Sequence, residues 1–137
     1  MDVRLHLGCG LVHRPGWINL DRYSATAADL LSDAILLPFA EGCAESVQAL
    51  QLIEHLGYVG TLYGLYEWAR VLQTDGVLHL ETPDRPATLH ATLESETAEK
   101  AHPWLFGTEQ LGQNHRYLFS ADELAQLAEK AGFARVA

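Results

Sequence analysis

Basic residues are scarce. Lysine and arginine together number nine in 137 residues, against 18 aspartates and glutamates, giving a formal net charge of −9. A protein that grips nucleic acid by its phosphates needs clustered positive charge. Here the bases are scattered in an excess of acid, so no nucleic-acid partner is expected. A small or neutral molecule, or a protein, fits the balance better. Cysteine is scarce too: Cys9 and Cys43 are the only two, and their spacing matches no zinc or redox pattern. They read as reduced, small, partly buried side chains, which suits a cytoplasmic location. No run approaches about 18 uninterrupted apolar residues, so no membrane span is expected. The N-terminus carries no secretory-signal pattern. His6, His13, His79, His90 and His102 show no ligand spacing, and no metal is expected.

What is present is material for one core. Apolar residues make up 48% of the chain, and the length suits a single domain over residues 1–137. Val3 to Leu7 reads as a strand broken by Gly8-Cys9-Gly10, and Trp17 to Leu20 as a second closed by Asp21. Only Leu11 to Gly16 lie between them, where a parallel crossover usually needs a dozen or more residues. Ala34 to Leu37 is a third strand candidate stopped by Pro38, and Ser46 to Gln51 a fourth. Leu62, Leu65, Tyr66, Ala69 and Leu72 recur at helical spacing. That helix is expected to end near Thr74-Asp75-Gly76, followed by a fifth strand, Val77 to Glu81. Residues 84–114 read as an irregular insert with a short helix around Ala87 to Lys100. Ser120 with Glu123 forms a capping box, Phe119 and Leu124 the hydrophobic staple, and Gly132 the left-handed cap of a last helix. Phe133 to Val136 starts a sixth strand.

Strands alternating with crossovers imply a Rossmann-like α/β fold, a mostly parallel sheet with flanking helices. Such sheets bind ligands beyond the carboxyl ends of their strands. The first tip offers Gly8, Cys9 and Gly10, where a sharp turn lets a ligand approach the main chain. The second offers Asp21, whose carboxylate can accept hydrogen bonds from both hydroxyls of a ribose. Asp33, with a backbone N–H beside it at Ala34, can meet the edge of an adenine. The dinucleotide fingerprint G-x-G-x-x-G with an acid about 20 residues on is not matched. Leu11-Val12-His13 follow Gly10, and the acid arrives at Asp21. The adenosine end of such a site is therefore present without its diphosphate end, which disfavours a nicotinamide cofactor and suits S-adenosylmethionine.

The order Leu5-His6-Leu7-Gly8-Cys9-Gly10, Pro15-Gly16-Trp17-Ile18-Asn19-Leu20-Asp21, Leu37-Pro38-Phe39, Ile53-Glu54-His55-Leu56, Arg70-Val71-Leu72 with Gly76, and Thr82-Pro83-Asp84 resembles class I S-adenosylmethionine-dependent methyltransferases. Within that class it is similar to the methyltransferase type 11 group, with a shortened first crossover. His115 and Ala131-Gly132-Phe133 extend the resemblance over nearly the whole chain. It implies that Gly8, Cys9 and Gly10 lie against the methionine part of the cofactor, Asp21 at the ribose and Asp33 with Ala34 at the adenine. Gln51 and Leu52 would border the methyl donor. The group usually carries an aspartate near the start of strand four, where Glu45 or Ser46 stands here.

Methyl transfer needs chiefly alignment of an acceptor with the S–CH₃ bond, and a base if the acceptor is a hydroxyl. His115 and His55 are the candidate bases, with Arg116 and Tyr117 placed to orient an acceptor. Trp104 and Phe106 would line the acceptor site or seal the sheet's edge. The expected function is an O- or N-methyltransferase acting on a small-molecule or glycan-type acceptor. The alternative is a non-catalytic cofactor-binding or scaffold module. Class I sheets usually continue past the sixth strand, so the final strand or strands look absent here. The resulting open edge suggests a homo-oligomer or a longer polypeptide.

Overall fold

The computed structural model describes residues 3–94 and 96–134. Five strands form one parallel sheet of order β3-β2-β1-β4-β5: β1 (Val3–Leu7), β2 (Ile18–Asp21), β3 (Leu30–Leu31), β4 (Ala44–Leu50) and β5 (Leu72–Glu81). The chain winds outward in one direction through β2 and β3, then in the other through β4 and β5. The reversal lies between β1 and β4, so a crevice opens beyond their carboxyl ends. Among the described residues no helix is long and apolar enough to cross a membrane.

Strand periodicity sorts the side chains onto two unlike faces. Leu5 and Leu7 of β1, Leu20 of β2, and Val47 and Ala49 of β4 point to one face and are fully buried or nearly so. Among the described residues, one helix joins β4 to β5, α1 (Ile53–Val71), and three follow β5: α2 (Arg85–Leu93), α3 (Ala98–Phe106) and α4 (Ala121–Lys130). α1 and α4 close the apolar face with Ile53, Leu65, Trp68, Val71, Leu127 and Ala128. The register places Asn19, His6, Gln48 and His79 in one row across the opposite face.

The first crossover is indeed helix-free. The Leu11–Gly16 loop folds over the polar face and is held there by Asn19. The Asn19 side chain accepts from the Arg14 N–H (2.9 Å) and donates to the carbonyls of Arg14 (3.2 Å) and Trp17 (3.1 Å). It also donates to Asp29 (2.9 Å). His6 Nδ1 lies 3.0 Å from its Oδ1.

Several expectations need correction. Ala34 to Leu37 is not a strand; β3 is the pair Leu30–Leu31, which aligns with Leu20 and Asp21. Asp33 explains the difference. Its carboxylate accepts from the Ile35 N–H (3.2 Å) and its carbonyl from the Leu36 N–H (3.2 Å), which curls the segment into a turn. The buried stripe of α1 is Thr61, Gly64, Leu65, Trp68 and Val71, and Tyr66 is exposed. The Trp68 indole lies over Gly64, where an added Cβ would stand 2.9 Å from Cζ2. A stripe counted from large apolar residues misses a face built on glycine and threonine.

The turn expected at Thr74 to Gly76 exists, but inside β5. Ala44 pairs with Leu72 and Ser46 with Val77, so the intervening residues bulge out between the two registers. The insert is two helices, α2 and α3, where one short helix was expected. Asp84 caps α2 by accepting from the Ala87 N–H (3.0 Å). α4 begins at its expected cap, with the Glu123 N–H donating to Ser120 Oγ (3.4 Å), and Gly132 has φ 103°. Half of the expected sixth strand, Arg135 and Val136, lies outside the described residues; Phe133 and Ala134 are not in a strand.

Candidate functional site

The tips of β1, β2 and β4 surround a cavity of about 300 Å³. β1 ends in a turn that only small residues tolerate: Gly8 has φ 64° and Gly10 φ 56°. A Cβ at Gly8 would meet Leu52 Cδ1 at 2.8 Å, so the backbone of the first tip packs directly on the residue after β4. Gly8, Gly10, Leu50, Gln51 and Leu52 form this wall. Gln51 is the one non-glycine with positive φ (51°) among the described residues. Its N–H donates to the Glu81 carbonyl (2.7 Å) and its side-chain amide to Glu81 Oε1 (3.0 Å). These bonds hold a left-handed conformation costing about 1–2 kcal/mol.

Asp21 and Asp33 both border the same cavity, as does Ala34. Asp21 is held by its own loop. Oδ2 accepts from the Gly10 N–H (2.9 Å), and Oδ1 from the N–H groups of Tyr23 and Ser24 (2.7 Å each). Three of about four lone-pair sites are thus filled, which leaves room for one further donor rather than the two first expected. Asp33 pairs with Arg22 (2.9 Å), and Arg22 lies over the Tyr23 ring at 5.5 Å. Trp68 Nε1 donates to the Ala34 carbonyl (2.8 Å), which ties this wall to the core.

Cys9 is not among the lining residues. Its N–H donates to the Leu20 carbonyl (3.0 Å), and its thiol is buried. Burial and the nearby Asp21 charge push that thiol's pKa up.

His55 borders the cavity and His115 does not. The two rings meet edge to face at 4.9 Å. His115 Nδ1 lies 2.7 Å from the Trp104 carbonyl, and His55 Nδ1 lies 3.2 Å from the Asn114 carbonyl. Arg116 reaches the cavity, but Tyr117 does not. Tyr117 donates to Glu123 (2.6 Å), whose other oxygen accepts from Arg85 (2.9 Å). Glu123 raises the Tyr117 pKa, so the phenol keeps its proton. Trp104 and Phe106 are half exposed and neither line the cavity nor seal an edge; Phe106 lies against the His102 ring.

Sequence reasoning missed Arg22, Tyr23, Gly112 and Gln113, all of which line the cavity. Arg22 and Tyr23 directly follow Asp21 and were within reach of a strand-tip search. Gly112 was not. It has φ 76° and sits on the Tyr23 ring face, a contact that only the folded chain creates.

The sequence matches no protein-family model and no curated protein. Solved structures do match. A SAM-dependent methyltransferase from Thermotoga maritima superimposes with a TM-score of 0.69 at 18% identity, over 98% of this chain and 65% of that one. A SAM-dependent methyltransferase from Archaeoglobus fulgidus gives 0.67 at 17%, over 96% and 61%. This chain has the class I methyltransferase fold. It spans less than two thirds of the length of each of those two structures. The [4+2]-cyclase SpnF also superimposes, with a TM-score of 0.60 at 19% identity, over 96% and 52%. The fold alone therefore does not name the reaction.

Proposed function

We propose that the cavity binds S-adenosylmethionine and that the protein transfers its methyl group to a small-molecule or glycan-type acceptor, at oxygen or nitrogen. The observation that carries this reading is the meeting of Asp21 and Asp33, from successive strand tips, in one cavity with the Gly8–Gly10 turn. The close approach of Gly8 to Leu52 leaves main chain, not side chain, facing the ligand. In this reading Asp21 Oδ2 accepts one ribose hydroxyl, and the Asp33–Ala34 turn meets the adenine. Gly8 and Gly10 present backbone to the methionine part, Cys9 between them holds the turn to β2 through the Leu20 carbonyl, and Gln51 and Leu52 wall the donor end. When bound, the cofactor supplies an electrophilic methyl group on a sulfonium. The chain's own task is to align an acceptor with it and exclude water. His55 is the candidate base at that wall, and His115, whose ring meets it edge to face, is the second candidate.

A second reading, a cofactor-binding module without turnover, draws support from the insert. No residue of α2 or α3 borders the cavity, so the expected aromatic acceptor wall is missing.

Thermal unfolding tests the binding half. Ligand at 100 times its dissociation constant adds about 2.7 kcal/mol of stability. S-adenosylhomocysteine should raise the melting temperature, and NAD should leave it unchanged. Asp21→Ala should weaken S-adenosylhomocysteine binding by more than about tenfold, since a charge-assisted hydrogen bond contributes about 1.5–3 kcal/mol. Equal affinity in the variant would mean the ribose lies elsewhere. Label transfer from methyl-labelled cofactor into metabolite or glycan pools then separates the enzyme from the silent module.

A further inference from the structure

We propose that Glu54, His55 and His115 bind one divalent transition-metal ion, of the zinc and cobalt class, at the edge of the cavity. The candidate atoms, one carboxylate oxygen and two imidazole nitrogens, lie within 4.8 Å of one another. Their other partners fix which ring nitrogen is free. A backbone carbonyl only accepts, so the Nδ1 of His115 carries the hydrogen shared with the Trp104 carbonyl (2.7 Å). The Nδ1 of His55 does the same toward the Asn114 carbonyl (3.2 Å). With Nδ1 so engaged, Nε2 is the nitrogen each ring has free to offer a metal. Donation of the far ring N–H to a carbonyl is the arrangement that orients metal-binding imidazoles.

The carboxylate supplies the independent observation. Glu54 is fully buried. Its Oε2 accepts from Thr82 Oγ1 (2.9 Å), but Oε1 has no hydrogen-bond partner and lies 3.9 Å from His55 Nε2. A buried carboxyl oxygen without a partner is costly. Its position beside two converging imidazoles is the geometry of a ligand set that lacks its ion. Two imidazoles and one carboxylate form a ligand set for zinc or a related ion that leaves coordination positions open.

The backbone holds these groups together from both sides. The Glu54 carbonyl accepts from the N–H groups of Arg116 (2.8 Å) and Tyr117 (3.3 Å), and the His115 N–H donates to the Phe106 carbonyl (2.9 Å). A tetrahedral ion with bonds of about 2.0–2.1 Å sets its ligand atoms about 3.3 Å apart. Side-chain rotations that bring the three atoms inward by up to about 1.5 Å complete the site. Because His55 borders the cavity, the open positions would face it, and an acceptor hydroxyl would meet the ion rather than a free imidazole. That last step rests on the methyl-transfer reading; binding of the ion does not.

The test uses the full chain, stripped with a chelator and titrated with Zn²⁺ by calorimetry and with Co²⁺ by visible absorption. One equivalent should bind, with the intense visible bands of a low-coordinate cobalt site. His55→Ala, His115→Ala and Glu54→Gln should each weaken binding by more than about 100-fold, beyond the range for outer partners. His79→Ala and His90→Ala should bind as wild type does. Circular dichroism checks folding, and Glu54→Gln preserves volume should an alanine variant unfold. Metal affinity no greater than that of a His55→Ala/His115→Ala double variant would overturn the proposal, as would an equal loss in His79→Ala. The S-adenosylhomocysteine melting shift, measured on the same samples, reports separately on the cofactor reading.

Discussion

The two faces of the sheet are stabilised by different physics. On one, Leu5, Leu7, Val47 and Ala49 meet α1 and α4, and the interface is apolar and closed. On the other, the row is Asn19, His6, Gln48 and His79; its Asn19–His6 end is roofed by a loop tied through hydrogen bonds, and Gln48 and His79 line an open concavity with Arg14 and Trp17. The first face is held by area removed from water, which is non-directional and tolerant of small shifts. The second depends on donors and acceptors whose geometry must be met, and a buried polar group loses more when its partner goes than it gained from the pair. The cavity lies at the tips of strands that belong to both faces, so each kind of packing fixes one of its carboxylates. Trp68 ties down the Asp33–Ala34 turn from the apolar side. On the polar side, Asn19 precedes Leu20 and Asp21 in β2 and its N–H is held by Asp29 (2.8 Å).

The sharpest way to break the apolar face is Trp68→Ala. The residue is fully buried, and truncations of this kind cost about 3–5 kcal/mol. The urea midpoint should fall accordingly. Trp68→Phe sharpens the point. It keeps most of the packing and deletes the hydrogen bond to Ala34, so it should cost about 1 kcal/mol. If the turn position matters for adenosine binding, it should also lower S-adenosylhomocysteine affinity. A Trp68→Phe variant with wild-type affinity would mean the Asp33–Ala34 turn holds its place without the indole.

On the polar face the corresponding change is Asn19→Leu, which is similar in volume and leaves its partners unpaired. Arg14, Asp29 and His6 each lose a contact. The expected loss is about 1–3 kcal/mol for the unsatisfied groups, smaller than for Trp68→Ala despite the larger number of contacts. Chemical denaturation of the two variants side by side checks the order. Were Asn19→Leu neutral, water would be replacing the lost partners and the loop would not depend on this side chain.

How far each face could be read in advance follows from the same contrast. The apolar strands repeat with period two, and the Ser120 cap with Glu123 behind it is a short-range signal, so β1, β2, β4 and α4 were legible. Strand-tip reasoning pointed to Gly8, Gly10 and Asp21, and the family resemblance to Gln51 and Leu52; all five line the cavity, as does Asp33, which was placed at the start of a strand that is a turn. What escaped depends on contacts between distant residues. The α1 stripe runs through Gly64 because Trp68 folds over it. The strand placed at Ala34 to Leu37 yields to a turn drawn by the Asp33 side chain. The juxtaposition of His55 with His115, 60 positions later, has no periodicity; it is made by Arg116 and Tyr117 donating to the Glu54 carbonyl. The capping box was half right for a similar reason. Ser120 caps as expected, but Glu123 turns to Tyr117 and Arg85 instead of back to the cap.

The smallest predicted effect is confined to acid pH and isolates the polar face alone. Asp29 accepts from both the backbone N–H and the side-chain amide of Asn19, at 2.8 and 2.9 Å. These bonds, the backbone one foremost, hold its pKa below the ordinary carboxylate value. A folded-state pKa below the unfolded value of about 3.9 means the folded state releases that proton more readily. The group therefore contributes stability fully above the unfolded pKa, and the contribution is lost as pH falls through the folded one. Asp29→Asn removes the titration but not the shape. The variant should be less stable than wild type at neutral pH, and the gap should close as both are taken into the acid range. Urea unfolding at a series of pH values reads the gap directly. The apolar-face variant Trp68→Phe, which titrates nothing, should show a gap independent of pH. A constant gap for Asp29→Asn as well would mean that its hydrogen bonds to Asn19 do not favour the ionised form, and that the loop over the polar face is held by Asn19 and the main chain alone.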